Sequence, residues 1–459
     1  MLEKLRIQNF KSWQDTGDIA FGSLTGFFGT NSSGKSSILQ FLLMLKQTVE
    51  SSDRSRVLHL GDDKSYVDLG TMYDIMHNHA DPSQLSFSFD WTEPVESFEF
   101  GDSLSDLLST YSESSPPYRF SAVVSTDQDK ITLQKFAYTH FNSQYNFEIT
   151  EEDAHWGAHY GFRISNLRSS KEKTVEGSFR NPANFFGVPN GVYLNYPLIE
   201  DELQRVEESF YNFFEQIYYL GPLREYPRRL YSWAGDKPQG VGDRGEDIVA
   251  ALLASRQQGP SIIISDDQPK RNVEEHVAHW LKELGLIYSF KVQPIAPNRK
   301  EYEVRIQRTA ESASVFLTDV GFGVSQILPV LVLLFYVPEG STVILEQPEI
   351  HLHPAVQAGL ADVFIDAIKR RKLQIVLESH SEHLLQRLQR RMAEEVITPE
   401  AIKLYFTSIQ QGRSELTTLD LDEYGNIRNW PEGFFGDTLG EAAAMMEAEM
   451  KRRMREQQA

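Results

Sequence analysis

Apolar residues recur along the chain with two different periods, and each period predicts its own kind of element. Between Leu85 and Ile164, apolar and polar residues alternate in several short runs with polar turns between them, which predicts an antiparallel β insertion. After Gly34, apolar residues follow at spacings of three and four, which predicts a helix as far as Val49. Continuous apolar runs that predict buried strands lie at 24–28, 342–345 and 373–377. The pattern as a whole predicts an α/β fold.

The remaining segments give weaker signals. Two short strands are predicted at the start of the chain, at 5–10 and 17–21, and further helices at 201–219, 247–254, 273–284, 327–335 and 441–455. The first of these helices carries an aromatic face that is interpreted as core packing. Residues 102–117 are rich in Ser, Asp and Pro and are expected to form an exposed linker.

The clearest motif lies between the strand at 24–28 and the helix that follows. Residues 29–36 read Gly-Thr-Asn-Ser-Ser-Gly-Lys-Ser and match G-x-x-x-x-G-K-[ST], a phosphate-binding loop. Its glycines let backbone N–H groups turn towards an anion, and the helix adds the positive end of its dipole. Lys35 is expected to reach the β- and γ-phosphates of ATP, and Ser36 to hold Mg²⁺. The predicted nucleotide-binding residues of this segment are Gly29, Asn31, Ser32, Ser33, Gly34, Lys35, Ser36 and Ser37.

The composition of the chain excludes several kinds of site and partner. The chain has 459 residues, no cysteine and a formal net charge of −20. Without cysteine, disulfides, thiolate zinc sites and a cysteine nucleophile are excluded, which fits a cytoplasmic protein. No apolar run approaches the ~20 residues that span a bilayer, so no membrane partner is expected. The negative charge argues against non-specific DNA binding by the chain itself. Short basic clusters at 369–372, 387–391 and 451–453 are interpreted mainly as solvated helix faces.

Three further polar segments follow in the second half of the chain. Residues 319–326 read Asp-Val-Gly-Phe-Gly-Val-Ser-Gln and open an apolar helix, whose start offers N–H groups and a dipole to an anion. The strand at 342–345 ends in Glu346, in a position to hold Mg²⁺ beside the phosphate loop. The strand at 373–377 ends in Glu378, and His380 follows closely. From their positions, Ser36 and Glu346 are expected to bind the metal. The resemblance of these segments to ABC-type ATPase heads implies that Gly323, Val324, Ser325 and Gln326 contact the nucleotide, and that Glu346, Gln347, Glu349 and His380 carry the chemistry.

Other interpretations of single residues stay open at this stage. Lys11 or Trp13 could lie against an adenine, or could be an ordinary surface lysine and a core tryptophan. Segment 219–229, rich in Gly, Pro and Arg, could direct basic groups at phosphates or a partner, or could form a simple exposed turn.

Two other kinds of site are poorly supported by the spacing. A zinc site from Glu349, His351 and His353 would have alternating histidines, and no H-E-x-x-H sequence occurs. A hydrolase triad that uses residues 379–381 lacks the G-x-S-x-G turn of such enzymes.

In their order and spacing, these four segments resemble the Walker A, signature, Walker B and switch-histidine motifs of ABC-type ATPase heads. More narrowly, 320–326 and 346–354 look like the prokaryotic AAA-type ATPases related to the overcoming-lysogenization-defect (OLD) proteins. Segments 219–224, 245–246, 422–425 and 430–436 resemble the subfamily that carries a C-terminal domain of unknown function. The resemblance covers essentially the whole chain and implies an ABC-type P-loop ATPase head with an antiparallel β insertion and a helical subdomain.

The resemblance also implies partners. In such heads ATP binds at a dimer interface, where Lys35 and Ser36 of one subunit would face Gly323, Val324 and Ser325 of the other. Higher oligomers remain possible. Many relatives belong to two-gene anti-phage modules such as Septu, which implies a nuclease or toxin subunit as partner, with nucleic acid reached through it. The alternative is a housekeeping OLD-like ATPase in DNA repair or nucleic-acid maintenance.

Three rival classes fit the sequence less well. A single-chain OLD-type nuclease needs a metal-binding Toprim domain, and the short stretch after His380 has no cluster of acidic ligands suited to one. A chromosome-organising ATPase needs a long coiled-coil arm, but no sustained heptad pattern interrupts the chain. A transporter ATPase is disfavoured by the β insertion and by the resemblance of the tail.

The predicted domain organisation follows from these motifs. It comprises the N-terminal half of the head with the phosphate loop (1–80), a β-rich insertion with its connecting helix (81–220), a helical and strand lobe (221–310), the C-terminal half of the head (311–410) and a C-terminal tail (411–459).

One residue departs from the ABC pattern in a way that matters chemically. The usual Asp-Glu pair is Glu346-Gln347 here. An amide at 347 cannot accept the proton of an attacking water. Either Glu349, Glu378 or His380 replaces it as general base, or hydrolysis is slow and ATP mainly locks a conformation.

Overall fold

The computed structural model describes residues 1–80, 83–93, 116–127, 130–141, 143–153, 157–166, 172–179, 184–195, 199–263, 270–431, 434–435, 445–446 and 448. The predicted linker at 102–117 lies outside these ranges except for its last two residues. The predicted helix at 441–455 lies outside them except for positions 445, 446 and 448.

The described chain has runs of consecutive strands in its first half, and helices and strands alternate between residues 322 and 410. The strands are β1 (Leu2–Phe10), β2 (Trp13–Asp15), β3 (Ile19–Ala20), β4 (Leu24–Gly29), β5 (Ser83–Trp91), β6 (Tyr118–Asp127), β7 (Lys130–His140), β8 (Ser143–Asp153), β9 (Gly157–Asn166), β10 (Glu172–Phe179), β11 (Ile217–Leu220), β12 (Tyr231–Ser232), β13 (Ser289–Pro294), β14 (Glu301–Gln307), β15 (Val315–Phe316), β16 (Thr342–Glu346), β17 (Gln374–Glu378), β18 (Ile402–Gln410) and β19 (Arg413–Thr418). The α-helices are α1 (Lys35–Glu50), α2 (Met72–Ile75), α3 (Asn190–Asn195), α4 (Glu200–Glu215), α5 (Ile248–Gln258), α6 (Val273–Glu283), α7 (Phe322–Tyr336), α8 (Pro354–Arg371) and α9 (Glu382–Ala393).

The phosphate loop follows the carboxyl end of β4, which is an inner strand of a mostly parallel sheet. Its strand order within the described ranges is β11-β16-β17-β4-β18-β19, with β11 to β18 parallel and β19 antiparallel to β18. β17 lies between β4 and β16, and its register pairs Glu378 with Glu346 on one side and with Phe27 on the other. Since ligands bind at the carboxyl ends of parallel strands, this register assembles the site.

Both faces of this sheet are buried, which explains the continuous apolar runs in its strands. Successive side chains of a strand point to opposite faces. Phe27 and Ile344 belong to the apolar cluster shared with α1 and the antiparallel sheet. Their neighbours Phe28 and Leu345 belong to the cluster shared with α5 to α9. The strands that end at the site are therefore anchored by packing on both sides. The fold is α/β, as the sequence predicted.

The antiparallel strands form a second sheet with the order β10-β9-β8-β7-β6-β5-β1-β2, and β3 also pairs with β1. The predicted β insertion is continuous with the first strand of the chain, because Leu5 and Ile7 of β1 pair with residues of β5. α4 packs its aromatic face on this sheet, with the rings of Phe210 and Phe213 5.7 and 5.9 Å from that of Phe89. The domain boundaries stay a prediction.

The predicted helix at 201–219 is wrong in its last turn. α4 ends at Glu215, and Ile217–Leu220 forms the edge strand β11 of the parallel sheet instead. Each residue of β11 pairs with one of Thr342–Leu345. Ile, Tyr and Tyr have high strand propensity, and this distant pairing outweighs the local helical spacing.

The tail contacts the strand that leads into the phosphate loop. Phe434 lies 4.9 Å, ring to ring, from Trp430 and 6.0 Å from Phe28, the residue before Gly29. In a small third sheet, β14 pairs with β12, β13 and β15. β12 precedes α5 in the chain, whereas β13 to β15 lie between α6 and α7. Within the described ranges, no helix combines the length and apolar character needed to cross a bilayer.

We expect Gly29→Ala to destabilise the fold strongly. Gly29 has a φ of +139°, and a Cβ there would lie 2.1 Å from the carbonyl oxygen of Thr407, its partner in β18. That oxygen cannot move without disrupting the ladder, so the expected loss in the free energy of unfolding is roughly 2–5 kcal/mol. Urea denaturation measures it. The control is Gly17→Ala, where φ is +65° and nothing lies within 4 Å of the new Cβ. Equal losses in the two variants would show that the contact with Thr407 does not matter.

Candidate functional site

The phosphate loop connects the end of β4 to the first residue of α1. Gly34 has a φ of +94° and directly precedes Lys35, the first residue of the helix. This left-handed conformation favours glycine, and a Cβ at position 34 would lie only 2.8 Å from Nε1 of Trp13. The first N–H groups of a helix have no acceptor within it, and they carry the positive end of its dipole. The loop therefore ends in an anion-binding helix start.

Lys35 is buried and folds back over the loop. Its Nζ donates to the carbonyl oxygens of Thr30 at 2.7 Å and Gly29 at 3.3 Å. The same Nζ lies 3.9 Å from Oε1 of Glu378. Burial lowers the pKa of Lys35, and the charge of Glu378 raises it. An anionic phosphate in the loop would provide a further negative partner for this ammonium.

A cavity of about 220 Å³ lies in front of the loop. Among the described residues it is lined by Ser12, residues 31–37, Gln347, Glu378 and His380. The lining offers a lysine, serine hydroxyls and a helix start, which suit phosphates, and a hydroxyl beside a carboxylate, which suits the oxygen-ligand preference of Mg²⁺. These residues fit the phosphates of ATP and their Mg²⁺, with Ser36 as the hydroxyl ligand. When bound, Mg²⁺ would polarise the phosphoryl oxygens.

Trp13 lies behind the loop and is not placed to stack on an adenine. Its side chain is fully buried, and its Nε1 donates to the carbonyl oxygen of Gly34 at 3.0 Å. It therefore supports the turn of the loop from within the protein. Lys11 donates from Nζ to Oε1 of Gln40 at 2.6 Å, so its ammonium is already paired. A contact between Lys11 and a base stays a prediction.

Glu346 ends β16 beside the cavity but is not among its described lining residues. Its Oε1 accepts a hydrogen bond of 3.0 Å from the hydroxyl of Tyr219 in the neighbouring strand β11. Burial, together with the negative charge of Glu378, raises the pKa of Glu346 to about 7. A cation at this place would favour the ionised carboxylate. The assignment of Glu346 to Mg²⁺ stays a prediction.

Glu378 touches the phosphate loop directly. Its Oε2 accepts a hydrogen bond of 2.7 Å from the Oγ of Ser36, the residue expected to hold Mg²⁺. From the sequence, Glu378 is expected only as a possible substitute for the general base. The available signal was its position at the end of an apolar strand, just as for Glu346. What the sequence does not reveal is the strand order that places β17 next to β4.

The three other predicted catalytic residues differ in their position relative to the cavity: two line it and one is buried outside its described lining. Gln347 lines the cavity and has a φ of +43°. Glu349 is buried, and its Oε1 accepts from the backbone N–H of His380 at 2.6 Å. Burial raises the pKa of Glu349, and the hydrogen bond from the backbone of His380 lowers it. His380 lines the cavity, and burial with the nearby charge of Lys35 lowers its pKa. The geometry thus brings Gln347 and His380 to the phosphate side and holds Glu349 behind them.

Two arginines of segment 219–229 face opposite ways, one into the protein and one towards solvent. A role of the segment in binding phosphates or a partner stays a prediction. Arg224 turns inwards, and its buried guanidinium nitrogens have no hydrogen-bond partner among the described residues. Burial lowers the pKa of Arg224 to about 10, while the negative charges of Glu346 and Glu349 raise it. A cation here favours the ionised forms of both glutamates. Arg229, in contrast, is exposed and pairs with Asp319 at 2.8 Å, just before α7.

The predicted signature residues form the first turn of α7, and most of them face inwards. Val324, Ser325 and Gln326 are buried, and the Ser325 hydroxyl donates to the carbonyl oxygen of Phe322 at 2.7 Å. Gly323 is partly exposed, whereas Gly321 and Phe322 are exposed. None of these residues lines the described part of the phosphate cavity of the same chain. The exposed helix start, 321–323, is therefore the part that can meet a ligand from outside. Their binding roles stay predictions.

The alternative sites receive no support from the geometry. Across the described ranges, no group of three or more His, Asp or Glu side chains is placed to hold a metal ion. The two basic clusters within the described ranges, 369–372 and 387–391, are largely paired: Lys372 with Glu339, and Arg387 and Arg391 with Asp362. These pairs are structural ion pairs, and the third cluster, 451–453, lies outside the described residues.

Comparison with known proteins identifies two families. A family described as "AAA domain, putative AbiEii toxin, Type IV TA system" matches residues 24–386. A family described as "Protein of unknown function (DUF3696)" matches residues 397–445, where the sequence resembles a C-terminal domain of unknown function. No curated protein matches the chain.

Three solved structures show distant similarity. The SmcHead bound to the C-winged helix domain of ScpA is 10% identical with a TM-score of 0.44, covering 92% of this chain and 98% of its own. The SMC head domain from Thermotoga maritima is 11% identical with a TM-score of 0.39, covering 91% and 99%. The Smc head domain with an extended coiled coil from Pyrococcus furiosus, bound to the C-terminal domain of ScpA, is 12% identical with a TM-score of 0.39, covering 92% and 96%.

The first family match extends from the phosphate-loop strand through the signature helix, Glu346 and His380, and so contains all the described cavity-lining residues except Ser12. It also covers more than half of the sequence. The chain therefore belongs to the family described as "AAA domain, putative AbiEii toxin, Type IV TA system".

Proposed function

We propose that the chain is an ATP-binding, slowly hydrolysing ABC-like ATPase that dimerises around ATP and controls a partner nuclease or toxin. The observation that carries the nucleotide part is the cavity in front of the phosphate loop. It combines Lys35, Ser36 and the start of α1 with a carboxylate at 2.7 Å from the Ser36 hydroxyl. That set of groups suits a magnesium–triphosphate and little else.

Dimerisation is supported by the position of the second anion-binding helix start. The exposed residues at the beginning of α7 do not belong to the described lining of the phosphate cavity in the same chain. A second copy could bring its Gly323 to the γ-phosphate held by Lys35, and each copy would complete the site of the other. The family resemblance implies the same arrangement.

Slow turnover follows from the residue that faces the cavity after Glu346. Gln347 lines it, and an amide cannot take a proton from water. Glu349, the next carboxylate in the chain, is buried and held by the backbone of His380. A nucleotide that is bound but slowly hydrolysed acts as a lock that holds an assembly in one state.

We expect Gln347→Glu to increase the rate of ATP hydrolysis. A positioned general base typically contributes about 10²- to 10⁴-fold, which sets the upper range of the gain. Phosphate release at saturating ATP measures kcat, so that a weaker affinity caused by the added charge does not hide the effect. Gln347→Ala, which adds no base, is the control and should not gain. Brisk turnover by the wild-type chain alone would contradict the proposal.

The partner part of the proposal draws on the family resemblance alone, because the family description applies the words "putative AbiEii toxin" to the matched domain and not to a partner. The test is co-expression with the product of the adjacent gene, followed by ATP-dependent co-purification and phage challenge. A complex with a nuclease or toxin that forms with wild type but not with Lys35→Ala would support it. A partner from DNA repair, with no effect on phage infection, would favour the housekeeping OLD-like alternative.

A further inference from the structure

Glu378 is a buried carboxylate in direct contact with the phosphate loop, and its ligand is not specified by the proposed function. It is 2% exposed, yet it lines the phosphate cavity. Its Oε2 accepts the Ser36 hydroxyl at 2.7 Å, and its Oε1 lies 3.9 Å from Nζ of Lys35 and 4.0 Å from Nε2 of His380. Both oxygens therefore face groups of the nucleotide site.

The contact with Ser36 points to a metal. A serine at this position of the motif gives its hydroxyl to Mg²⁺. Mg²⁺ requires oxygen ligands in near-octahedral geometry and is commonly held by one or two carboxylates together with substrate phosphates. Glu378 accepts a hydrogen bond from this same hydroxyl. A metal ion bound by Ser36 would therefore lie close to the carboxylate of Glu378.

Electrostatics supports the same conclusion. Without a cation, the charge of Glu378 partly neutralises Lys35 and repels the phosphates that Lys35 should attract. With a divalent cation bound at the site, both the carboxylate and the phosphates would be attracted to the cation, which would outweigh their mutual repulsion. The negative charge at this place is favourable for ATP binding only when a metal is present.

Glu346 is less well placed for this task in the structure. It lies one strand further from β4, since the order is β16-β17-β4. It accepts a hydrogen bond from Tyr219, and it is not among the described residues that line the cavity. Glu378 stands between it and the phosphate loop.

We propose that Glu378 is a Mg²⁺-binding residue of the nucleotide site and acts on the same ion as Ser36. This inference rests on the proposed ATP-binding function and names the residue that makes this binding metal-dependent. Glu346 supports the ion from the next strand.

The test compares ATP affinity with Mg²⁺ and in excess EDTA for the wild type, Glu378→Gln and Glu346→Gln. For Glu378→Gln, we expect binding in Mg²⁺ to weaken roughly 10- to 100-fold, the typical cost of losing a group that tunes a metal site. In EDTA, its binding of ATP should be unchanged or tighter, because a negative charge has been removed. Electron paramagnetic resonance of Mn²⁺ with ATP adds a direct measure of the bound ion. It should show less protein-bound Mn²⁺ in this variant.

The two media separate the competing explanations. Equal weakening with and without metal would show a structural role and overturn the inference. Unchanged Mg²⁺-dependent affinity with lost turnover would make Glu378 a general base instead and overturn it too. A result in which only Glu346→Gln weakens the Mg²⁺-dependent binding of ATP would also overturn the inference. Glu378→Asp, which keeps the charge, should restore part of the Mg²⁺ effect. A wild type that binds ATP in neither medium would overturn the proposed function and this inference together.

Discussion

Lys35→Ala is expected to weaken ATP binding by roughly 10- to 100-fold, because it removes a charge-assisted hydrogen bond worth about 1.5–3 kcal/mol. In the structure, the Lys35 ammonium is buried and is bonded to loop carbonyls at Thr30 and Gly29. It is therefore already held next to the position of the phosphates. Calorimetric titration with ATP in Mg²⁺ measures the loss.

The matched control is Lys11→Ala, because Lys11 directly precedes Ser12 of the cavity wall and its ammonium is paired with Gln40. Loss of the Lys11 side chain should weaken ATP binding much less than loss of the Lys35 side chain. Thermal unfolding without nucleotide checks that both variants are folded. If Lys11→Ala weakened ATP binding as much as Lys35→Ala, Lys11 would have to contact the nucleotide and the assignment of the loop would need revision.

Gly323→Asp is expected to leave ATP binding by the monomer intact and to weaken the ATP-dependent dimer on the order of 100-fold or more. A carboxylate at the start of α7 would face the γ-phosphate held by the other copy, and such like-charge contacts cost several kcal/mol. Within one chain the substitution is easily accommodated. A Cβ at 323 would lie 3.7 Å from Cδ2 of Leu352 and 3.8 Å from the carbonyl oxygen of His351.

Gly323→Ala separates bulk from charge. Alanine is preferred over glycine within a helix by about 1 kcal/mol, so this variant should be at least as stable as the wild type. Sedimentation velocity with and without ATP should show a dimer that is less weakened than in Gly323→Asp. Normal ATP-dependent dimerisation of Gly323→Asp would mean that the signature assignment is wrong.

The core of the head could be predicted from the sequence because its signals are local. The phosphate loop, the strand at 24–28 and the helix after it follow from a fixed motif with apolar flanks. The strands that end in Glu346 and Glu378 follow from continuous apolar runs. In each case the pattern and the buried environment agree, since both faces of the parallel sheet are covered.

What could not be predicted depends on contacts between distant segments. The last turn of the helix at 201–219 is a strand because Ile217–Leu220 pairs with Thr342–Leu345, which no local period reveals. Trp13 supports the loop through a bond to Gly34. The contact of Glu378 with Ser36 results from the strand order, not from a linear motif.

The signature segment shows a second kind of limit. Its sequence indicates a helix start with a hydroxyl, but not the direction of that hydroxyl. The Ser325 side chain bonds back to Phe322 and is buried, so the exposed part of the turn is 321–323. Competition between a helix-start hydroxyl and the backbone of its own turn is decided by packing around α7.

The central claim is that each nucleotide site is shared between two copies of the chain. Mixing the two variants tests it most directly. In a Lys35→Ala and Gly323→Asp heterodimer, one composite site carries both defects, while the other combines an intact Lys35 with an intact Gly323. We expect that neither variant alone forms an ATP-dependent dimer, whereas the mixture does, with one ATP bound per pair. A mixture that behaves as the sum of the separate variants would contradict a shared site.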